Sequence, residues 1–153
     1  MRSRQACTAQ SDPMHFQNLS YRTPPSVLKS MRSNRGAGTA PERTLRSALW
    51  RSGERGFRKN VSSLPGTPDV VFPTKKLAVF LNGCFWHACP YCKKKPPKNN
   101  RAFWIKKFSD NKARDKKKSV ALRKSGWMVI TVWECQLRKI PEATIARIKR
   151  KLS

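Results

Sequence analysis

The chain has 153 residues, 38% of them apolar, and carries 34 Lys or Arg against 8 Asp or Glu, a formal net charge of +26. That length fits one domain with a modest core, and so much positive charge repels itself in a compact state unless a polyanion accompanies it, which makes nucleic acid the first partner to consider. No stretch of about 18 apolar residues occurs, so no membrane partner is expected, and Met1 to Gln10 lacks the continuous apolar run of a secretory signal, so the cysteines are expected to be reduced.

Residues 1–38 are rich in Ser, Arg, Pro and Gly, with Pro24-Pro25 and Gly36-Ala37-Gly38 as breakers, and read as a flexible basic arm. The folded domain is expected over residues 39–153. Thr39-Ala40-Pro41-Glu42 starts a helix: Thr39 is the N-cap, Pro41 lies in the first turn and Glu42 completes a capping box. Leu45, Ala48 and Leu49 follow on one face, and the helix ends near Gly53. Gly56 to Val61 is a weak strand candidate. The turn Leu64-Pro65-Gly66-Thr67-Pro68 then leads into a strand at Asp69-Val70-Val71-Phe72. Leu77-Ala78-Val79-Phe80-Leu81, a continuous apolar run between polar residues, predicts a buried central strand paired with the previous one.

After a cysteine-rich loop and the bridge Lys93 to Lys98, residues from Asn100 to Lys124 favour helix, with Phe103, Trp104, Phe108, Val120 and Leu122 as apolar faces. A break near Asp110-Asn111 would make this two helices. Gly126 is a C-cap, Trp127 to Trp133 is the strongest strand signal in the chain, and Pro141 opens a last helix to Leu152. The order α-β-β-β-α-β-α predicts an α/β fold, a mixed sheet flanked by helices.

The loop Asn82-Gly83-Cys84-Phe85-Trp86-His87-Ala88-Cys89-Pro90-Tyr91-Cys92 carries the densest chemistry. Cys84, Cys89 and Cys92 have the spacing of thiolates wrapping one tetrahedral ion, and Cys135 can supply a fourth from the end of the last strand. Four thiolates close the shell, so such a zinc would be structural. Cys7 stands apart in the arm. Asp69, opening a strand next to a second apolar strand, is placed to hold Mg²⁺ against a phosphate, although a Pro-Asp pair is more often a turn residue. The next strand offers Phe80-Leu81-Asn82 where a common nuclease pattern has an acidic residue and a lysine. His87 can accept a proton at neutral pH. The residues alone leave it two roles, zinc ligand or base. Phe85, Trp86 and Trp104 are candidates for rings that wedge between bases, and the Lys106 to Lys118 block reads as a solvated, phosphate-facing surface.

Together, Leu64-Pro65-Gly66-Thr67-Pro68-Asp69, Gly83-Cys84-Phe85-Trp86-His87 and Trp127 through Trp133-Glu134-Cys135 resemble, in order and spacing, the signature of the very short patch repair (Vsr) endonucleases. The resemblance spans about residues 27–138. It implies a restriction-endonuclease-like fold and a nick in one strand beside a T·G mispair, the product of 5-methylcytosine deamination. It makes Asp69 the essential Mg²⁺ ligand, His87 the base for water, and Glu42 an acidic neighbour. By the same resemblance Phe85, Trp86 and Trp104 enter the duplex from one groove and Met31 from the other. It further implies a bacterial, cytoplasmic, nucleoid-associated protein acting on double-stranded DNA, and a monomer is expected. Two departures stand out. Leu81 and Asn82 replace threonine and histidine, leaving a Leu81 main-chain carbonyl for the Mg²⁺ and weakening the phosphate contacts expected at Asn82. Cys89 falls where some members use histidine, and Cys92 comes one residue late, an insertion for Pro90-Tyr91 to absorb. The competing readings are a catalytically idle zinc protein that binds nucleic acid, and a related nuclease with a different DNA specificity.

Overall fold

The computed structural model describes residues 38–153; Met31, Cys7 and almost all of the arm at 1–38 lie outside them. Helix α1 (Ala40–Arg51) precedes strands β1 (Arg58–Lys59), β2 (Val70–Phe72) and β3 (Leu77–Asn82). Helix α2 (Arg101–Lys124), strand β4 (Met128–Trp133), helix α3 (Glu134–Lys139) and helix α4 (Pro141–Leu152) complete the order. The sheet runs β1-β2-β3-β4, antiparallel between β1, β2 and β3 and parallel between β3 and β4. It is the mixed sheet flanked by helices that the sequence predicts, consistent with a restriction-endonuclease-like fold. Among the described residues no helix is long and apolar enough to cross a membrane.

Alternation along the strands sorts the two faces. Val70, Phe72, Leu77, Val79 and Val132 pack with Leu45 and Leu49 of α1, Leu137 of α3 and Ile145 and Ile148 of α4 in one buried cluster. Ala78, Phe80 and Asn82 point the other way, toward α2, where the Asn82 amide meets Asp115. Helices on both faces explain why β2 and the first half of β3 read as unbroken apolar runs.

Three expectations need correction. The segment from Asn100 to Lys124 forms one helix, Arg101–Lys124 of 24 residues with Asn100 as its N-cap, not two. Asp110 and Asn111 do not break it, because Asp110 pairs with Lys106 one turn earlier at 2.9 Å and Asn111 donates to the Trp86 carbonyl at 2.7 Å. Short polar side chains break helices by bonding to their own backbone, and both are engaged elsewhere. Cys135 lies in the first turn of α3, an element the sequence did not signal, and not at a strand end. The weak strand at Gly56 to Val61 shrinks to two residues.

At the end of α2 the chain reverses through a Schellman turn: Gly126 N–H donates to the Arg123 carbonyl and Trp127 N–H to the Leu122 carbonyl, both at 3.0 Å. Gly126 adopts φ +78°, and a Cβ there would meet nothing closer than the Lys76 ammonium at 4.0 Å. The cost of a side chain is therefore one of backbone conformation alone. Gly126→Ala is expected to destabilise the domain by about 1–2 kcal/mol and Gly126→Asn by less. Equal urea midpoints for parent and alanine variant would contradict this account of the turn.

Candidate functional site

The start of β2, the end of β3 and the first turn of α1 meet at one edge of the sheet. Antiparallel pairing of Val70 with Val79 carries Asp69 alongside the end of β3, where the Leu81 N–H donates to Asp69 Oδ2 at 2.7 Å. Burial pushes the Asp69 carboxyl up to about 6; the Leu81 N–H opposes that rise, and the nearby Glu42 charge adds to it. Glu42 is only 6% exposed. It accepts from the Gly38 N–H and the Thr39 hydroxyl at 2.8 Å, from the Thr39 N–H at 3.3 Å, and from the Asn60 amide and Arg46 guanidinium at 3.4 Å. Burial, the largest influence, raises the Glu42 carboxyl, but those donors together hold it below its ordinary value. Of the two neighbouring carboxylates, Asp69 is the one short of donors.

Directly after β3, Gly83 to Ala88 fold into tight turns, with His87 N–H donating to the Gly83 carbonyl at 3.3 Å and Ala88 N–H to Phe85 at 3.3 Å. His87 stands outside the sulfur cluster. Its Nδ1 lies 2.5 Å from Asp115 Oδ2, which also receives the Asn82 amide at 3.4 Å. With Nδ1 turned to a carboxylate, the proton belongs on Nδ1 and the lone pair on Nε2. Leu81 and Asn82, consecutive in β3, thus reach Asp69 through the backbone and Asp115 through the side chain.

The four thiols come together as the spacing predicts. Cys84, Cys89, Cys92 and Cys135 place their sulfurs within 4.8 Å of one another. Cys89 and Cys135 sulfurs are 3.7 Å apart, far longer than a disulfide and close to the separation of about 3.8 Å expected for two sulfurs on one tetrahedral zinc. Backbone N–H groups support the thiolates: Cys135 N–H donates to Cys84 Sγ at 3.3 Å, and those of Cys92 and Tyr91 to Cys89. Burial pushes the Cys84 and Cys135 thiols up. For Cys89 burial also raises the thiol, but the two N–H groups and the neighbouring thiols outweigh it and favour the thiolate. Three of the four are buried, so a bound cation would supply the charge that ionised sulfurs need. Lys93 N–H closes a turn on the Cys89 carbonyl at 3.0 Å, within which Cys92 returns to the cluster.

Phe85 and Trp86 are neither core nor free. Both are half-buried against each other, centroids 5.2 Å apart, and against Trp104 at 5.1 and 5.9 Å; Phe108 closes the cluster 5.4 Å from Phe85. Asp115 is the functional candidate that sequence reasoning missed, absorbed into a lysine-rich block read as solvated surface. A signal existed: Trp104, Phe108, Asn111 and Asp115 recur at helical spacing, so the apolar stripe continues as a polar one that must face the same loop.

The sequence model of the family described as DNA mismatch endonuclease Vsr matches residues 21–94. The chain is 43% identical over 107 residues to the type II nicking enzyme V.XorIIP of Xanthomonas oryzae pv. oryzae, covering 70% of this chain and 78% of that protein. It is 38% identical over 132 residues to the type II nicking enzyme V.HpaIIP of Haemophilus parainfluenzae, covering 85% and 93%. To the DNA mismatch endonuclease Vsr of Escherichia coli it is 36% identical over 124 residues, covering 81% and 79%.

Two outcomes follow from this geometry. Cys135→Ser, which removes the sulfur tying α3 to the loop, should give protein that is insoluble or has lost the cooperative unfolding of the parent, because a structural metal ion held by four thiolates contributes on the order of 10 kcal/mol to folding. Parent protein purified folded and free of bound metal by elemental analysis would contradict the site. For Asp69, a folded value raised from about 4 to about 6 means the folded state holds the proton more tightly. Without a bound cation, stability therefore falls as pH rises through that window. Asp69→Asn keeps the shape and removes the charge, so in the absence of divalent cation it should melt a few degrees above the parent at about pH 7, the difference vanishing toward about pH 4. A variant that melts lower at neutral pH would show that Asp69 is not desolvated.

Proposed function

The chain belongs to the Vsr family of DNA mismatch endonucleases, and on that premise we propose that it nicks one strand of duplex DNA beside a thymine mispaired with guanine. It is a DNA endonuclease, and its reaction is hydrolysis of a phosphodiester bond. The observation that carries the mechanistic reading is the separation of tasks within one loop: four sulfurs gather without His87, whose Nδ1 faces Asp115.

In this reading Asp69, with the Leu81 carbonyl beside it, holds a Mg²⁺. The donor set fits: a hard carboxylate oxygen, desolvated and short of hydrogen bonds, next to a second carboxylate at Glu42 that adds negative potential. When bound, the ion supplies positive charge against the phosphate as negative charge builds on its oxygens. His87 Nε2 removes a proton from the attacking water as the water oxygen bonds to phosphorus and the bond to the leaving oxygen breaks. Asp115, fixed by the Asn82 amide, orients the ring and stabilises the imidazolium that forms, the logic of a base held by a carboxylate. The four cysteines hold a structural zinc that anchors the loop and takes no part in the chemistry.

Phe85, Trp86 and Trp104 are proposed to insert beside the mispair, with Met31 of the arm at 1–38 entering from the opposite groove and residues 39–153 forming the catalytic domain. A wobble pair is easier to unstack than a Watson–Crick pair, so the cost of insertion, a few kcal/mol per step, is least there. The aromatic cluster is preassembled and joined to His87 by one peptide bond from Trp86, so insertion would deliver the base to the backbone. The protein is expected to act as a monomer in the bacterial cytoplasm. The names of V.XorIIP and V.HpaIIP, type II nicking enzymes, support a cut in one strand. They also favour a second reading, in which a particular sequence and not the mispair directs the nick.

Matched and T·G duplexes incubated with Mg²⁺ and mapped on sequencing gels decide between these. The expected result is one nick, in the thymine strand of the mismatched duplex. Asp69→Ala and His87→Ala should fold and bind DNA while losing nicking, by about 10²–10⁴-fold for the base. Equal nicking of matched DNA would favour the sequence-directed reading, and no Mg²⁺-dependent nick in any duplex would leave an idle DNA-binding protein.

A further inference from the structure

We propose that Lys118 binds a backbone phosphate at the cleavage site, supplying from α2 the cation that β3 lacks. The inference rests on the site reading given above. Where a lysine would close the common nuclease pattern, β3 ends Phe80-Leu81-Asn82, and Leu81 and Asn82 are both engaged with carboxylates. The edge holding Asp69, Glu42 and Asp115 thus draws no side-chain cation from β3, and Arg46 of α1 is paired with Glu42, so a cation from another element would assist the approach of a phosphate beside the bound ion.

Lys118 lies one turn after Asp115 and continues the stripe of Asn111 and Asp115 that faces the loop. Lys112, Arg114, Lys116 and Lys117 are exposed, whereas Lys118 is half-buried. Its stem crosses the turn that leads into Asp69: a Cβ built on Gly66 would lie 2.6 Å from Lys118 Cδ, 2.9 Å from Cγ and 3.1 Å from Cβ. The space a side chain would fill at residue 66 is thus occupied by the lysine. The closest approach is at Cδ, so the ammonium, two bonds further on, emerges at the Leu64 to Pro68 turn. Among the described residues no carboxylate pairs with it; the ion pairs use Arg46, His87, Lys106 and Lys149.

A lysine with its stem pinned loses less conformational freedom on binding than one free in solvent, and its head lacks a competing anion. It spans from the helix carrying Asp115 to the turn that leads into Asp69, the two elements between which the scissile phosphate would lie.

The test uses the full chain, a T·G duplex and Mg²⁺. Lys118→Met keeps an unbranched stem over Gly66 and should melt as the parent does. It should nick about 10- to 100-fold more slowly, the loss expected for one charge-assisted hydrogen bond, and the salt dependence of duplex binding should fall by about 0.9 in log–log slope. Lys118→Arg should retain most of the rate. Parental rate and slope for Lys118→Met would overturn the proposal. So would equal losses in the Met and Arg variants, whatever their stabilities, since packing and not charge would then explain them. Asp69→Ala run alongside separates the failures: if it nicks normally the site reading itself is wrong, and if it is inactive while Lys118→Met is unimpaired only the role of Lys118 falls.

Discussion

The tie between the loop after β3 and the first turn of α3, made where Cys84, Cys89 and Cys92 meet Cys135, is the constraint on which the rest of the site depends. Parallel pairing of β3 with β4 ends at Asn82 opposite Trp133, so both strands deliver their last residues to the same end of the sheet. Cys84 follows one of them and Cys135 the other. Closing four sulfurs there fixes Phe85, Trp86, His87 and Ala88 between two anchored cysteines, on a segment too short to wander. The hydrogen bond from Asn111 to the Trp86 carbonyl and the pair between His87 and Asp115 then seat that segment on α2.

Charge gives the edge its second character. In a chain with only 8 acidic residues and a net charge of +26, Glu42, Asp69 and Asp115 lie around the end of β3. Carboxylates in such a protein do little for solubility and would repel a phosphate backbone if left alone. Each is managed differently: Glu42 is saturated with donors from its own helix start and from Arg46 and Asn60, Asp115 is turned to a histidine, and Asp69 is left partly desolvated with one N–H. That gradation singles out Asp69 as the place for a cation, because the group that is least satisfied by the protein has most to gain from one.

Much of this was legible in the chain itself. Thr39 to Glu42 marked the start of α1, the apolar run from Leu77 marked the central strand, Gly126 marked the end of α2, and cysteine spacing marked the cluster, because each is a local pattern with a local physical cause. The continuity of α2 was not legible, since Asp110 and Asn111 are neutralised as helix breakers by Lys106 and by Trp86, the latter far away in sequence. Asp115 was hidden for the same reason. Its significance depends on which face of a helix meets which loop, and a lysine-rich context disguises that face as ordinary surface. Whether His87 served metal or water stayed open in the sequence because five candidate ligands compete for four places; the fold separates the histidine by giving it a carboxylate of its own.

That separation is the central claim, and the coordination of the bound metal tests it most directly. X-ray absorption at the zinc edge of the purified, folded protein should fit four sulfur neighbours at about 2.3 Å and no nitrogen. A shell of three sulfurs and one imidazole nitrogen at about 2.0 Å would put His87 on the metal, and the account of a structural anchor beside a free base would be contradicted.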